Sequence, residues 1–207
     1  MKRIISVAAL LVLFVTSPLL AKDWSKVTAQ LNLATFPLQT DMGNIYCTGF
    51  MIDSARGYAL TAAHCVDDQE GNVKEIINVG KDQATVVFFD ADLDVAVLHS
   101  VTINRPSILP AKEVKVGQEL LSFGFARESG LYGHFRAGNV AGIGSVDELP
   151  SVWVITDQPF IGGMSGGPVV DKDGKLIAMV QRSDRALTGI GRSIGAIWAA
   201  TKEYWAK

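Results

Sequence analysis

The segment Gly162-Gly163-Met164-Ser165-Gly166-Gly167-Pro168 sets one serine among four glycines and closes on a proline. Glycine loses the most backbone freedom on ordering, so a fixed run of this kind is costly. A chain that orders it needs backbone angles or close approaches that side chains forbid. One chemical task suits that geometry. Ser165 presents its hydroxyl on a tight turn, and the N–H groups of Gly163 and Ser165 point into one small space. That space matches the oxyanion of a tetrahedral acyl-transfer intermediate.

A serine hydroxyl needs a base to act as a nucleophile. Three histidines are present: His64, His99 and His134. His64 closes the apolar run Leu60-Thr61-Ala62-Ala63-His64-Cys65. His99 ends a strand-like segment and reads as a rim or packing residue. His134 lies in Gly133-His134-Phe135-Arg136, which alternates like an exposed strand, with pocket lining as its alternative. The base in turn needs an orienting carboxylate, and Asp94 opens Asp94-Val95-Ala96-Val97-Leu98. A carboxylate at the mouth of a buried strand can be held against an imidazole. Asp90 and Asp92 compete for this role and are read as water-facing turn residues.

These three segments together resemble the chymotrypsin/trypsin-like serine peptidases, over residues 40–198. The chain order His, Asp, Ser is that of this fold and not of subtilisins or α/β-hydrolases. The resemblance implies a catalytic triad of His64, Asp94 and Ser165 and an oxyanion hole from Gly163 and Ser165. It also implies an all-β fold: two six-stranded antiparallel β-barrels with a short C-terminal helix. One residue departs from the pattern. Met164 stands where trypsin-like enzymes carry an aspartate that pairs with a newly cut N-terminus. A thioether accepts no such ion pair, and no Ile-Val-Gly-Gly start follows Ala21. No zymogen switch of that kind is therefore expected, as in HtrA-like bacterial members.

Charge and targeting set the context. Met1-Lys2-Arg3 precedes an apolar run and a small-residue junction at Ala21, which reads as a secretory signal peptide over 1–21. The run is short for a membrane span of about 20 residues. An uncleaved anchor is the alternative. The whole chain carries a formal charge of −2. Removing the signal takes away Lys2 and Arg3 and no acid, leaving a mildly acidic chain that argues against nucleic acid. The expected location is the bacterial periplasm or outside the cell, without stable membrane insertion after signal removal. Cys47 and Cys65 are the only cysteines. In an exported chain an even pair implies a disulfide, and the resemblance supports this pairing. Chain-entropy estimates for a loop of that length give about 3 kcal/mol. The alternative is two reduced buried thiols. No metal-ligand spacing is present, and neither a metal nor a cofactor is expected.

Many short strands punctuated by glycine-rich turns support the all-β reading. Residues 22–39 form a lead-in, with Val27, Leu31 and Leu33-Ala34 on a weak helical face. The peptidase domain is set at 40–207. Barrel one covers about 40–103, barrel two about 111–197 and the C-terminal helix 198–207. Asn104 to Pro110, with two prolines, links the barrels. The segment carrying Gly130, Gly133, Gly138, Gly142 and Gly144 reads as two strands. Asp173-Gly174 marks a hairpin turn after the nucleophile. Ile194, Ile197, Trp198 and Thr201 recur at helical spacing. The short tail beyond Ile197 leaves no room for the peptide-binding module that HtrA relatives append.

By resemblance, Gln181, Arg182 and Ser183 run along an extended substrate, and Gly189 to Ile194 forms part of the first specificity pocket. Pro159 falls near the position of the buried aspartate of trypsin, so cleavage after arginine is not expected. Arg182 or Arg192 would favour an acidic side chain; the alternative is that both are solvated surface residues. The function implied is a secreted serine endopeptidase that acts on protein or peptide through an acyl-enzyme. The competing readings are a catalytically weak binding protein on the same scaffold and an esterase with the same triad.

Overall fold

The computed structural model describes residues 23–68, 72–127, 132–145, 152–184 and 187–206. The proposed signal peptide lies outside them. Helix α1 (Ser25–Ala34) opens the described chain and buries Val27, Leu31 and Ala34 on one face. Asp23 Oδ1 accepts the Ser25 N–H at 2.8 Å and ties down its first turn.

Twelve strands follow. The first six are β1 (Thr35–Gln39), β2 (Ile45–Asp53), β3 (Tyr58–Thr61), β4 (Ile76–Val79), β5 (Asp82–Asp90) and β6 (Val95–His99). They close into one antiparallel barrel in the order β1-β2-β3-β6-β5-β4. The next six are β7 (Glu119–Phe125), β8 (Gly133–Ser145), β9 (Val152–Thr156), β10 (Pro168–Val170), β11 (Leu176–Asp184) and β12 (Thr188–Ser193). They close a second barrel in the order β10-β11-β12-β9-β8-β7. Helix α2 (Ile194–Thr201) ends the fold, capped by the Ser193 hydroxyl, which accepts the Ala196 N–H. Closure leaves neither sheet with a long exposed edge.

Three boundaries differ from the sequence reading. Barrel one begins at Thr35, because β1 pairs with β2 from Thr35↔Phe50 onward, inside what reads as a lead-in. The glycine-rich segment forms one long strand, β8, whose register shifts between Val140 and Gly142. Two of its glycines, Gly133 and Gly138, serve close packing rather than turns. A Cβ at Gly133 would strike the Phe123 ring, and one at Gly138 would strike Asp157. The last helix begins at Ile194, four residues before the expected start, because β12 ends at the Ser193 cap.

The core is continuous between the barrels. Leu121, Phe123, Val170 and Met179 of barrel two pack in the same cluster as Phe36, Phe50 and Leu60 of barrel one. Strand β2 is therefore buried on both faces, and polar alternation vanishes from its sequence. The linker is stitched to both barrels: Ile108 N–H donates to Met51 O, and Ala111 N–H to Leu176 O. The chain end then returns to barrel one. Trp205 is 2% exposed within the large cluster. Its Nε1 donates to Thr201 Oγ1 at 3.0 Å, and Arg56 donates to the Glu203 and Trp205 carbonyls. Trp205→Ala is expected to cost about 3–5 kcal/mol through the lost burial and the cavity left behind. Urea unfolding of the two proteins measures it.

Candidate active site

The cleft between the barrels, about 740 Å³, is lined among others by His64, Asp94, Phe160, Ser165, Gln181 and Arg192. Each arrives from a different local structure. His64 sits in a single 3-10 turn, Ala63–Cys65, directly after β3. Cys65 is joined to Cys47 of β2 by a disulfide, which fastens that turn to the barrel wall. Among the described residues the one tight His/Cys donor group is Cys47, His64 and Cys65, and both sulfurs are spent in this bond.

Asp94 is the last residue of the β5–β6 turn. Its carboxylate lies 2.9 and 3.0 Å from His64 Nδ1, and Oδ1 also accepts the His64 backbone N–H at 2.9 Å. The ring and its backbone are thus oriented by one carboxylate. Of the competing residues, Asp90 caps its own turn by accepting the Leu93 N–H, and Asp92 is exposed. His99 stacks beside Tyr58, and neither His99 nor His134 lines this cleft.

Ser165 stands between two tight turns, closed by Met164 N–H to Ile161 O and Gly167 N–H to Met164 O. Its hydroxyl donates to Gln181 O at 3.2 Å, and no hydrogen bond joins it to His64 among the described residues. The glycines around it are required by crowding. Gly163 has φ +97°, and a Cβ there would collide with Phe125 O and Arg127 N. Gly166 has φ +80°, and a Cβ there would collide with Thr61 Oγ1 and Thr48 O. Both conformations are ones that side chains resist.

The orientation of the Gly163 amide follows from peptide planarity. Gly162 O accepts the Arg127 N–H at 2.8 Å, and the described residues contain no cis peptide. In a trans peptide the next N–H points opposite to the carbonyl. The Gly163 N–H is therefore aimed away from Arg127. Neither it nor the Ser165 N–H donates to a partner among the described residues. Met164, between them, is fully buried in the barrel-two core with Leu120, Val140 and Val169. Apolar packing thus occupies the position where a trypsin-like zymogen uses an ion pair.

Thr48 joins the two halves of the site, and sequence reasoning missed it. It is fully buried on β2. Its N–H donates to Ser165 O at 2.9 Å, its hydroxyl donates to Gly163 O at 2.9 Å, and that hydroxyl accepts the Phe125 N–H. Within Cys47-Thr48-Gly49 a threonine reads as ordinary strand filler, so no local signal marks it.

The residues expected along the substrate divide into two layers. Arg182 is exposed and Ser183 half-buried, with the Ser183 hydroxyl bridging Phe160 N and O at 2.6 and 3.0 Å. Gln181 is buried and donates from Nε2 to Asp94 O at 2.9 Å. Arg192 forms part of the cleft floor but is only 1% exposed, contrary to a solvated surface arginine. Pairing with Met179 and Trp153 in the sheet turns it inward. A Cβ on Gly189 would strike Thr156 Oγ1, Gln158 O and the Phe160 ring.

Comparison with known proteins places this architecture. The model of the trypsin-like peptidase domain matches residues 47–179. This chain therefore belongs to the trypsin-like peptidase family. It is 28% identical over 159 residues to a probable periplasmic serine endoprotease, DegP-like, of Buchnera aphidicola. That match covers 72% of this chain and 32% of the relative, so the chain spans about a third of the relative's length. Among solved structures, the active form of the Rv3671c protease from M. tuberculosis superposes with a TM-score of 0.69 at 22% identity, covering 87% of this chain and 85% of that one. A serine endoprotease from Yersinia pestis gives 0.70 at 22% identity, covering 88% and 66%. At such identity these two show a shared fold. Among the described residues no helix is long and apolar enough to cross a membrane.

Thr48→Val would strand the buried Gly163 carbonyl and Phe125 N–H. The expected cost is about 1–3 kcal/mol for each unsatisfied group. Urea unfolding, with hydrogen exchange at Phe125, tests it; unchanged stability and exchange would refute the role given to Thr48.

Proposed function

We propose that this chain is an exported serine endopeptidase that cleaves peptide bonds through an acyl-enzyme. The observation that carries the reading is the Asp94 carboxylate held on His64 Nδ1 in the cleft that also contains Ser165. Ser165 Oγ attacks the scissile carbonyl while His64 Nε2 takes its proton. The Asp94 carboxylate fixes the ring with Nδ1 protonated and stabilises the imidazolium that forms. The Gly163 and Ser165 N–H groups receive the oxyanion. His64 then returns the proton to the leaving amine, and water repeats the sequence on the ester. The hydroxyl first leaves the Gln181 carbonyl by rotation about χ1; catalytic hydrogen bonds commonly tighten only when substrate binds.

Substrate enters extended along β11 beyond Val180, where the strand loses its β10 partner. Arg182 and Ser183 contact it directly, and Gln181 lies beneath them. The reaction needs neither metal nor cofactor. Residues 1–21 direct export, and the mature chain works in the periplasm or outside the cell.

The hydroxyl resting on Gln181 O favours one rival, a weakly catalytic binding protein. A fluorophosphonate probe separates the readings. Wild type is expected to be labelled at Ser165 and Ser165→Ala not at all; folded wild-type protein that takes no label rejects the hydrolase. Asp94→Asn is expected to lower kcat about 10⁴-fold, as in the triad template, and Asp92→Asn to leave it unchanged. Equal losses would mean that the carboxylate is misassigned. The buried Met164 further implies a hole that forms without cleavage. Protein freed only of residues 1–21 is expected to react with the probe at once. Reactivity appearing only after a cut near residue 40 would contradict this.

A further inference from the structure

Arg192 is the charged residue of the cleft that the acyl-transfer reading leaves without a task of its own. Burying a cation costs several kcal/mol unless it is well compensated, and an apolar residue at this position would be cheaper for stability. Its compensation here is specific. The guanidinium carbon lies 3.7 Å from the Trp153 ring centroid, and Nη2 donates to Asp92 O at 3.2 Å. Nε and Nη1 have no hydrogen-bond partner among the described residues. Burial lowers the guanidinium's proton affinity, Asp94 and Asp90 raise it again, and Arg182 opposes them.

The turn that Arg192 grips is under strain. Asp94 has φ 53°, the only positive value at a non-glycine among the described residues. Such a conformation costs on the order of 1–2 kcal/mol and persists only where surroundings over-determine it. Within the turn, Asp94 N–H donates to Ala91 O and Leu93 N–H to Asp90 Oδ1. Barrel two holds it from outside at two carbonyls on either side of Leu93. Arg192 takes Asp92 O, and Gln181 Nε2 takes Asp94 O. Both grips reach across from the opposite barrel, so they also fix the turn against the wall that carries Ser165.

We propose that Arg192 is a positioning residue: from beneath the cleft it clamps the Asp92 carbonyl, so that the strained turn keeps the Asp94 carboxylate on His64. The inference rests on the triad reading for its effect on rate. A planar guanidinium suits the task because it stacks on an indole while donating in its own plane. The charged groups around the His64–Asp94 pair are Asp90 and Asp92 from the same turn, Asp67 beyond His64, and Arg182 and Arg192 from barrel two.

The test compares the wild-type chain with Arg192→Met, Arg192→Gln and Arg192→Lys. The direct readout is the low-field proton resonance of the hydrogen bond between His64 Nδ1 and Asp94, which needs no turnover. It is expected to vanish in Arg192→Met, which has no donor, and in Arg192→Gln, whose shorter side chain does not reach Asp92 O, and to return in Arg192→Lys, which carries a donor on a chain long enough to reach it. On a peptide ester, kcat is expected to fall about 10²-fold with KM unchanged, the usual result of a misplaced catalytic group. An intact resonance in either charge-removing variant that folds would overturn the clamp. Loss of the resonance in a protein whose wild type takes no fluorophosphonate would uphold the clamp and reject the hydrolase. An active wild type with an unchanged Arg192→Met would do the reverse.

Discussion

Backbone from barrel one approaches the loop around Ser165 so closely that no side chain fits between them. The Gly166 position faces Thr48 O, Thr61 Oγ1 and Ala62 N, and the Thr48 amide and hydroxyl grip the loop at Ser165 O and Gly163 O. The loop is covalently part of barrel two, yet its register is set by β2 of barrel one. That contact fixes Ser165 relative to His64, which stands three residues after the end of β3. Any shift of one barrel on the other would break buried hydrogen bonds whose groups have no water to replace them. The shared apolar cluster across the interface makes the same demand through packing.

The site uses charge sparingly. Met164 sits in an apolar core, so the neighbouring amides are held by turns and by Arg127 N–H on Gly162 O rather than by an ion pair. Among the described residues the one buried cation, Arg192, lies behind the Asp90–Asp94 turn and stacks on Trp153. Strain at Asp94 and desolvation at Arg192 are local costs, each offset by contacts from the opposite barrel. Sites that need fixed geometry commonly store strain in this way. Family membership accounts for the double barrel, and in this chain Gln181 and Arg192 hold the turn.

Much of the architecture was legible from the chain. Short strands between glycine-rich turns point to an all-β fold, and three motifs in the order His, Asp, Ser point to a double barrel. Boundaries were harder. β1 hides in Thr35–Gln39 because Phe36 and Leu38 directly follow a helical face at Val27, Leu31 and Ala34. The β8 glycines look like turns, yet Gly133 and Gly138 clear space for Phe123 and Asp157, which strand pairing brings against them. Among site residues, the choice of Asp94 over Asp92 followed from the buried strand behind it, and the coordinates place that carboxylate on His64. Arg192 read as a surface or substrate-facing cation, because pairing with β9 and β11 is invisible in sequence.

The sequence by itself determined which chemical groups are present and in what order: a hydroxyl in a glycine run, an imidazole after an apolar strand, and a carboxylate before another. These are local properties, set by residue type, spacing and period. Tertiary structure alone decided which groups touch. It made Thr48 a bridge rather than strand filler, put the Ser165 hydroxyl on Gln181 O, and buried Arg192 under the Asp94 turn. Each of these contacts joins residues far apart in the chain. Their partners are chosen by barrel closure and by the packing of one barrel against the other, and no stretch of sequence encodes either one alone.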